Sequence, residues 1–162
     1  GVRAALEAHA RTLTENRDMK VAFHGALPER ALHPETATVL FRILQEAVTN
    51  AVLHSGGRSI EVKFTPQTGR LVAEVNDDGH GFDPLHHLKA PPTGVGIPGM
   101  QERASYAGGT VVVASSRDAG TRVRVELPWK GTPWVGDEAA RARVAAELGL
   151  LDREPKPSHA IA

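Results

Sequence analysis

Two residues one helical turn apart, Glu46 and Asn50 in "LQEAVTNAVLH", are the first candidates for chemistry. At i and i+4 they share one helix face, while Leu44, Ala47, Val48 and Ala51 lie mainly on the other. The carboxylate can take a proton or hold a nucleophile in place. The carboxamide oxygen is a hard ligand suited to Mg2+. An ordinary exposed helix face is the competing reading for any such pair. The second candidate is "VNDDGHGFDP", residues 75–84. Asp77 follows an alternating apolar run, and a carboxylate at a strand end only accepts hydrogen bonds, as the exocyclic amine of an adenine ring requires. Gly79 and Gly81 let backbone approach a flat ligand and reach positive φ. Phe82 is expected to plug the core below. Asp-x-Gly-x-Gly alone is also a turn, and a calcium loop is another rival, although the ligand spacing and terminal Glu of an EF-hand are missing. The third candidate is "GVGIPGM", where Gly94, Gly96 and Gly99 precede the expected helix "MQERA". Glycines ahead of a helix N-terminus form a nest of N–H groups suited to phosphate. No Gly-Lys-Ser/Thr follows, so this is not a P-loop, and no strand leads directly into it as a dinucleotide fingerprint needs.

Regular elements must hold these sites. "DMKVAFHG" alternates Met19, Val21 and Phe23 against Lys20 and His24, the pattern of a half-buried strand. His33-Pro34-Glu35 opens a helix that runs to about His54, and Ser55-Gly56-Gly57 stops it. "SIEVKFTP" and "RLVAEVN" are two strands joined as a hairpin across "QTG". After the Asp-Gly loop, "LHHLKAPPTGVGIPGM" has little periodicity and reads as a mobile loop. "MQERASYAGG" is a short helix ended by Gly108-Gly109, and "TVVVASS" and "TRVRVELPW" form a second hairpin across "RDAG". The layout predicts an α/β fold: a two-layer α/β sandwich, one mixed sheet with helices on one face. In the tail, Asp137 is expected to cap a short helix with Ala140, Val144 and Leu148 on one side, and "DREPKPSHAIA" reads as disordered.

Composition narrows the partners. With 162 residues, the chain suits one domain of ordinary size. The 19 basic residues balance the 19 acidic ones, which argues against nucleic acid or an anionic membrane as main partner. There is no cysteine, so thiol catalysis, disulfides and zinc–thiolate sites are excluded. No apolar run is long enough to span a bilayer and no signal peptide is expected, so a cytoplasmic location is the default. The chain opens at Gly1 without Met and inside an expected helix, as a piece cut from a longer protein would.

In their order along the chain the three sites resemble the GHKL (Bergerat) ATP-binding fold of gyrase B subunits, Hsp90 chaperones, MutL and sensor histidine kinases. The resemblance runs over residues 18–129. "LFRILQEAVTNAVLHS", "DDGHGFDP", "GIPGMQERASYAGGTVVVAS" and "GTRVRVELPW" look like the catalytic domain of the histidine kinase subfamily that pairs with LuxR-type response regulators. The resemblance implies ATP and Mg2+ as ligands. It implies that Asp77 binds the adenine amine and that Glu46 is the base or the group orienting the phosphoacceptor. It implies that Asn50 holds Mg2+, that His54 closes the first motif, and that Gly94, Gly96 and Gly99 form the lid. Thr121 then lies near the adenine pocket. Two positions depart from the family: Leu53 stands where Lys or Arg is common, and Pro98 sits beside the lid glycine.

The same resemblance divides the chain into residues 1–14, the end of an upstream dimerisation helix; 15–130, the catalytic domain; and 131–162, the tail. The phosphoaccepting histidine belongs to a dimerisation domain of the same protein. No histidine here fits that role; His9, in "EAHARTL", is followed by Ala10 and not by an acid. A homodimer and a response regulator are the implied partners, with no nucleic acid. The alternatives are an anti-sigma-factor serine kinase of the same fold, or a nucleotide-gated clamp.

Overall fold

The computed structural model of the chain describes residues 1–82 and 96–129. Gly94, the histidines at 86 and 87, and the expected tail helix lie outside the described residues.

Helix α1 (Val2–Thr14) is followed by strand β1 (Lys20–His24), a 3-10 turn (Glu29–Ala31) and helix α2 (Pro34–His54). The His33 side chain caps α2 by accepting from the N–H of Glu35, and Pro34 occupies the first turn, where its missing N–H costs nothing. Strands β2 (Ser59–Gln67) and β3 (Arg70–Asp77) form a hairpin. Helix α3 (Ile97–Tyr106) and a second hairpin, β4 (Thr110–Ser115) with β5 (Thr121–Pro128), complete the described fold. The expected start of α3 at Met100 is corrected to Ile97. Pro98 tolerates a first-turn position, so the helix begins before its apolar period does.

The five strands run in the order β1-β2-β3-β5-β4, with β1 parallel to β2 and the other pairs antiparallel. The expected mixed sheet with helices on one face is therefore what the chain forms. α2 lies across the middle of that face and supplies Leu40, Ile43, Leu44, Ala47 and Val48 to the core. The strands answer with alternate residues, among them Val62, Phe64, Ala73, Val75 and Val125. α1 packs on α2 and β1, with Leu6 and Ala10 buried in the same core. Trp129 closes the sheet: its backbone N–H donates to Gly69 O at 3.1 Å and its indole N–H to Ala31 O at 3.2 Å. Among the described residues no helix is long and apolar enough to cross a membrane.

Candidate functional site

At one end of the sheet a cleft of about 610 Å3 opens between α2 and α3. Strand pairing builds its floor. Asp77 lies opposite Thr121, and Thr121 opposite Ser115, so three polar side chains form a row across β3, β5 and β4. Two residues further in on each strand the row is Val75, Val123 and Val113, all lining the cleft. Alternation puts both rows on the helix-facing side. The helices supply the walls. Glu46, Asn50 and His54 come from successive turns of α2, and Ile97 and Met100 from α3. Helical spacing is what makes the first three neighbours.

Asp77 is held from one side only. Its Oδ1 accepts from the N–H of Gly79 at 2.9 Å and of Thr121 at 3.3 Å. Its Oδ2 has no protein partner among the described residues. Burial pushes its pKa up, and the two N–H donors oppose that rise. Asp78 behaves differently. Its Oδ1 accepts from the N–H groups of Arg58 and Ser59, both at 2.8 Å, which hold its pKa below the ordinary value. It pins the loop to the start of β2 and is exposed. Of the two adjacent carboxylates, only Asp77 faces the cleft.

The glycines act against protein backbone. A Cβ on Gly79 would stand 2.2 Å from Ser55 O, so Gly79 lets the loop lie on the end of α2, where His80 N–H donates to Ser55 O at 2.9 Å. Gly81 has φ +62°, and a Cβ there would stand 2.0 Å from Ser116 O. Gly81 also lines the cleft; Gly79 does not. Phe82 lines the cleft and is absent from the core cluster, against its expected place as a core plug. Gly96 lines the cleft at the N-cap of α3 with no side-chain cap, and a Cβ on it would meet open space. Gly99 lies inside the first turn of α3 and not ahead of it, and does not line the cleft.

Glu46, Asn50, His54, Asp77, Gly81, Gly96 and Thr121 are thus brought to one cavity. The side chains of Glu46, Asn50 and His54 make no hydrogen bond or ion pair among the described residues. Sequence reasoning missed Ser115, whose hydroxyl accepts from Phe82 N–H at 2.9 Å and lies 3.1 Å from Gly120 O and 2.9 Å from Thr121 Oγ1. When Ser115 donates to Gly120 O, the Thr121 hydroxyl donates to Ser115. The signal was a polar residue at an inward position of β4. Thr49 and His80 also line the cleft and were not foreseen.

The arrangement suits a flat, amine-bearing ring carrying an anionic chain. The inner floor of Val75, Val123 and Val113 is apolar, the half-buried Asp77 carboxylate at its edge has one oxygen without a protein donor among the described residues, and a carboxylate and an amide stand on one wall. Among the described residues no group of three or more His, Asp or Glu could hold a metal ion unaided. Asn50 fits the role of a single hard oxygen donor that shares Mg2+ with a ligand's phosphates and water.

Among solved structures, the blue-light activated histidine kinase of Erythrobacter litoralis EL346 superposes with a TM-score of 0.64 at 22% identity, over 78% of this chain and 41% of that one. A structure of the histidine kinase domain of the same protein gives a TM-score of 0.62 at 21% identity, over 79% of this chain and 61% of that one. The chain therefore spans less than two thirds of either, and at these identities the likeness is one of fold. Residues 35–131 match the family model for histidine kinase-, DNA gyrase B- and HSP90-like ATPases. That span covers more than half of the chain and includes α2, the Asp-Gly loop and β5, and on it the chain belongs to this family of ATP-binding domains.

Proposed function

We propose that the domain binds Mg-ATP in the cleft and delivers its γ-phosphoryl to a histidine on a dimerisation domain of the same protein. In this reading it is the cytoplasmic catalytic domain of a two-component sensor histidine kinase, homodimeric when whole and paired with a LuxR-type response regulator. The observation that carries the proposal is the convergence of Glu46 and Asn50 of α2 with Asp77 and Thr121 of the sheet on one cavity, with Ser115 bonded to Thr121 from β4. Adenine specificity needs an acceptor at depth, which Asp77 Oδ2 supplies. Phosphoryl transfer needs a metal-holding oxygen and a base, which Asn50 and Glu46 supply on one wall.

Bound Mg2+ would neutralise charge on the phosphates. Asn50 would contribute one oxygen to its shell. Glu46 receives the N–H of the acceptor imidazole, so the other ring nitrogen is the unprotonated nucleophile. That nitrogen bonds to the γ-phosphorus, the bond to the β–γ bridging oxygen breaks, and ADP leaves. Glu46 takes the proton that the phosphorylated ring gives up.

The test supplies the dimerisation domain in trans with γ-labelled ATP. Glu46→Gln is expected to keep ATP affinity and slow transfer by about a hundredfold or more. Asn50→Ala is expected to weaken binding only when Mg2+ is present. Equal transfer rates for Glu46→Gln and the parent would sink the role of Glu46, and label on a serine would assign the domain to the serine kinases of this fold.

A further inference from the structure

Helix α1 presents Val2, Leu6, Ala10 and Leu13 to the core. His9 stands on that stripe, four residues before Leu13 and three after Leu6, at a spacing where an apolar residue is the norm. It is half-buried, and its Nε2 lies 2.9 Å from Thr49 Oγ1 on α2. The direction of that bond follows from Thr49, whose one hydroxyl proton goes to Gln45 O at 2.7 Å. The hydroxyl therefore accepts from His9, and His9 carries its proton on Nε2. Thr49 lies between Glu46 and Asn50 in sequence and lines the cleft. At its other end α1 is fastened by Arg3, which donates to Gly25 O at 2.7 Å and Phe23 O at 3.2 Å.

An apolar seam tolerates a helix that slips or rolls, because dispersion is non-directional. A hydrogen bond to one hydroxyl does not. We propose that His9 is a positioning residue: through Thr49 the register of α1 sets the wall of α2 that carries Glu46 and Asn50, and so sets nucleotide affinity. The inference rests on the cleft being the ATP site. A shift or roll of α1 pulls the donor from Thr49 and changes affinity without any contact between α1 and nucleotide.

A double-mutant cycle on the chain tests it, with Mg-ATP affinity by calorimetry and thermal stability measured for every variant. His9→Ala and Thr49→Val should each weaken Mg-ATP by about three- to tenfold. The double variant should be no worse than the weaker single, since one bond is lost in each. His9→Gln, which keeps an N–H donor, should recover most of the affinity. A second measurement needs no variant: the 15N-histidine NMR signals of His9 in the parent should report the Nε2–H tautomer and move when Mg-ATP is added. Losses that multiply, a His9→Gln as weak as His9→Ala, a lowered melting point with unchanged affinity, or unmoved His9 signals would each overturn the inference. Asp77→Asn is the control that separates the two proposals. If it binds as the parent does, the assignment of the cleft fails and this inference falls with it. If it loses binding while His9→Ala does not, only the inference falls.

Discussion

The two faces of the sheet handle charge in opposite ways. On the face away from the helices, Arg124 donates to Glu126 at 2.7 Å and to Glu74 at 3.3 Å, Arg70 reaches Glu126 at 3.1 Å, and Arg122 reaches Asn76 at 2.9 Å. Glu126 holds the Arg124 pKa up and Arg124 holds the Glu126 pKa down, chiefly through their shared hydrogen bond. In their midst Val72 is only 2% exposed although it points away from the core; Glu126 lies opposite it and Arg124 diagonally. The aliphatic stems of such side chains cover apolar surface while their charged ends stay in water. On the helix face, at the cleft, Glu46, Asn50 and His54 are unmatched among the described residues, and Asp77 is half-buried with no ion-pair partner there, the nearby His80 ring only weakly opposing the rise that burial imposes on its pKa. Polar groups that answer one another close a surface. Polar groups held without an answer keep a surface ready for a ligand.

The sharpest way to break this contrast is at Asp77. Asparagine in its place can still accept both N–H groups through Oδ1, which turns an amide donor towards the ligand's own donor. The loss of a charge-assisted bond should cost about 1.5–3 kcal/mol of ATP binding, or about tenfold to a hundredfold in Kd, read by calorimetry. Stability should move the other way. The pKa of Asp77 is raised on folding, so its contribution is present below the unfolded value and is lost as pH rises through the folded one. At neutral pH the ionised form is a cost that Asn removes. Thermal melts should show Asp77→Asn above the parent at about pH 7, with the gain vanishing below about pH 4. A melting point that falls at neutral pH would mean that Asp77 is a structural carboxylate like its neighbour.

Asp78 sharpens the comparison because it sits one residue away with the opposite sign. Its pKa is depressed, so its contribution is present above the unfolded value and is lost as pH falls through the folded one. Asp78→Ala should destabilise by about 1 kcal/mol at neutral pH, discounted for its exposure, and by progressively less as acid protonates the folded-state carboxylate, below its ordinary range. ATP affinity should change little. Chemical denaturation at neutral pH and in acid checks this, and a penalty that persists undiminished in acid would disprove the carboxylate's role. The smallest effect belongs to the open face. Arg124→Ala should cost about 1 kcal/mol or less in urea melts and leave ATP affinity unchanged. An affinity loss as large as that of Asp77→Asn would show that the two faces are not independent.

The long helix was legible to within a residue because its ends carry their own chemistry: His33 and Pro34 start it, and Ser55-Gly56-Gly57 stop it. Hairpins announced themselves through alternation and through Gly69 and Gly120, both at positive φ. The start of α3 was not legible. Gly99 has no side chain to show a periodicity, and Pro98 reads as a breaker although it is tolerated in a first turn. Ser115 fell inside the expected strand "TVVVASS", but nothing in that strand marks it for a site; only the pairing of β4 with β5 sets it beside Thr121. The contact between His9 and Thr49 needed the packing of α1 on α2, which no local pattern encodes.

The row formed by Asp77, Thr121 and Ser115 has a consequence for the thermodynamics of the whole domain. Its members come from three strands, and β3 meets β5 only across the segment that contains α3. No fragment of the sheet presents the row, so a ligand seated there binds the complete fold and has nothing to bind in the unfolded chain. Occupancy then adds to global stability by mass action, about 2.7 kcal/mol at a hundred times Kd. Amides in the centre of β3 that exchange only on complete unfolding should slow by about a hundredfold under those conditions, whereas amides that exchange through local fraying should not respond. In that sense the supply of nucleotide sets how often this domain comes apart, as well as whether it can act.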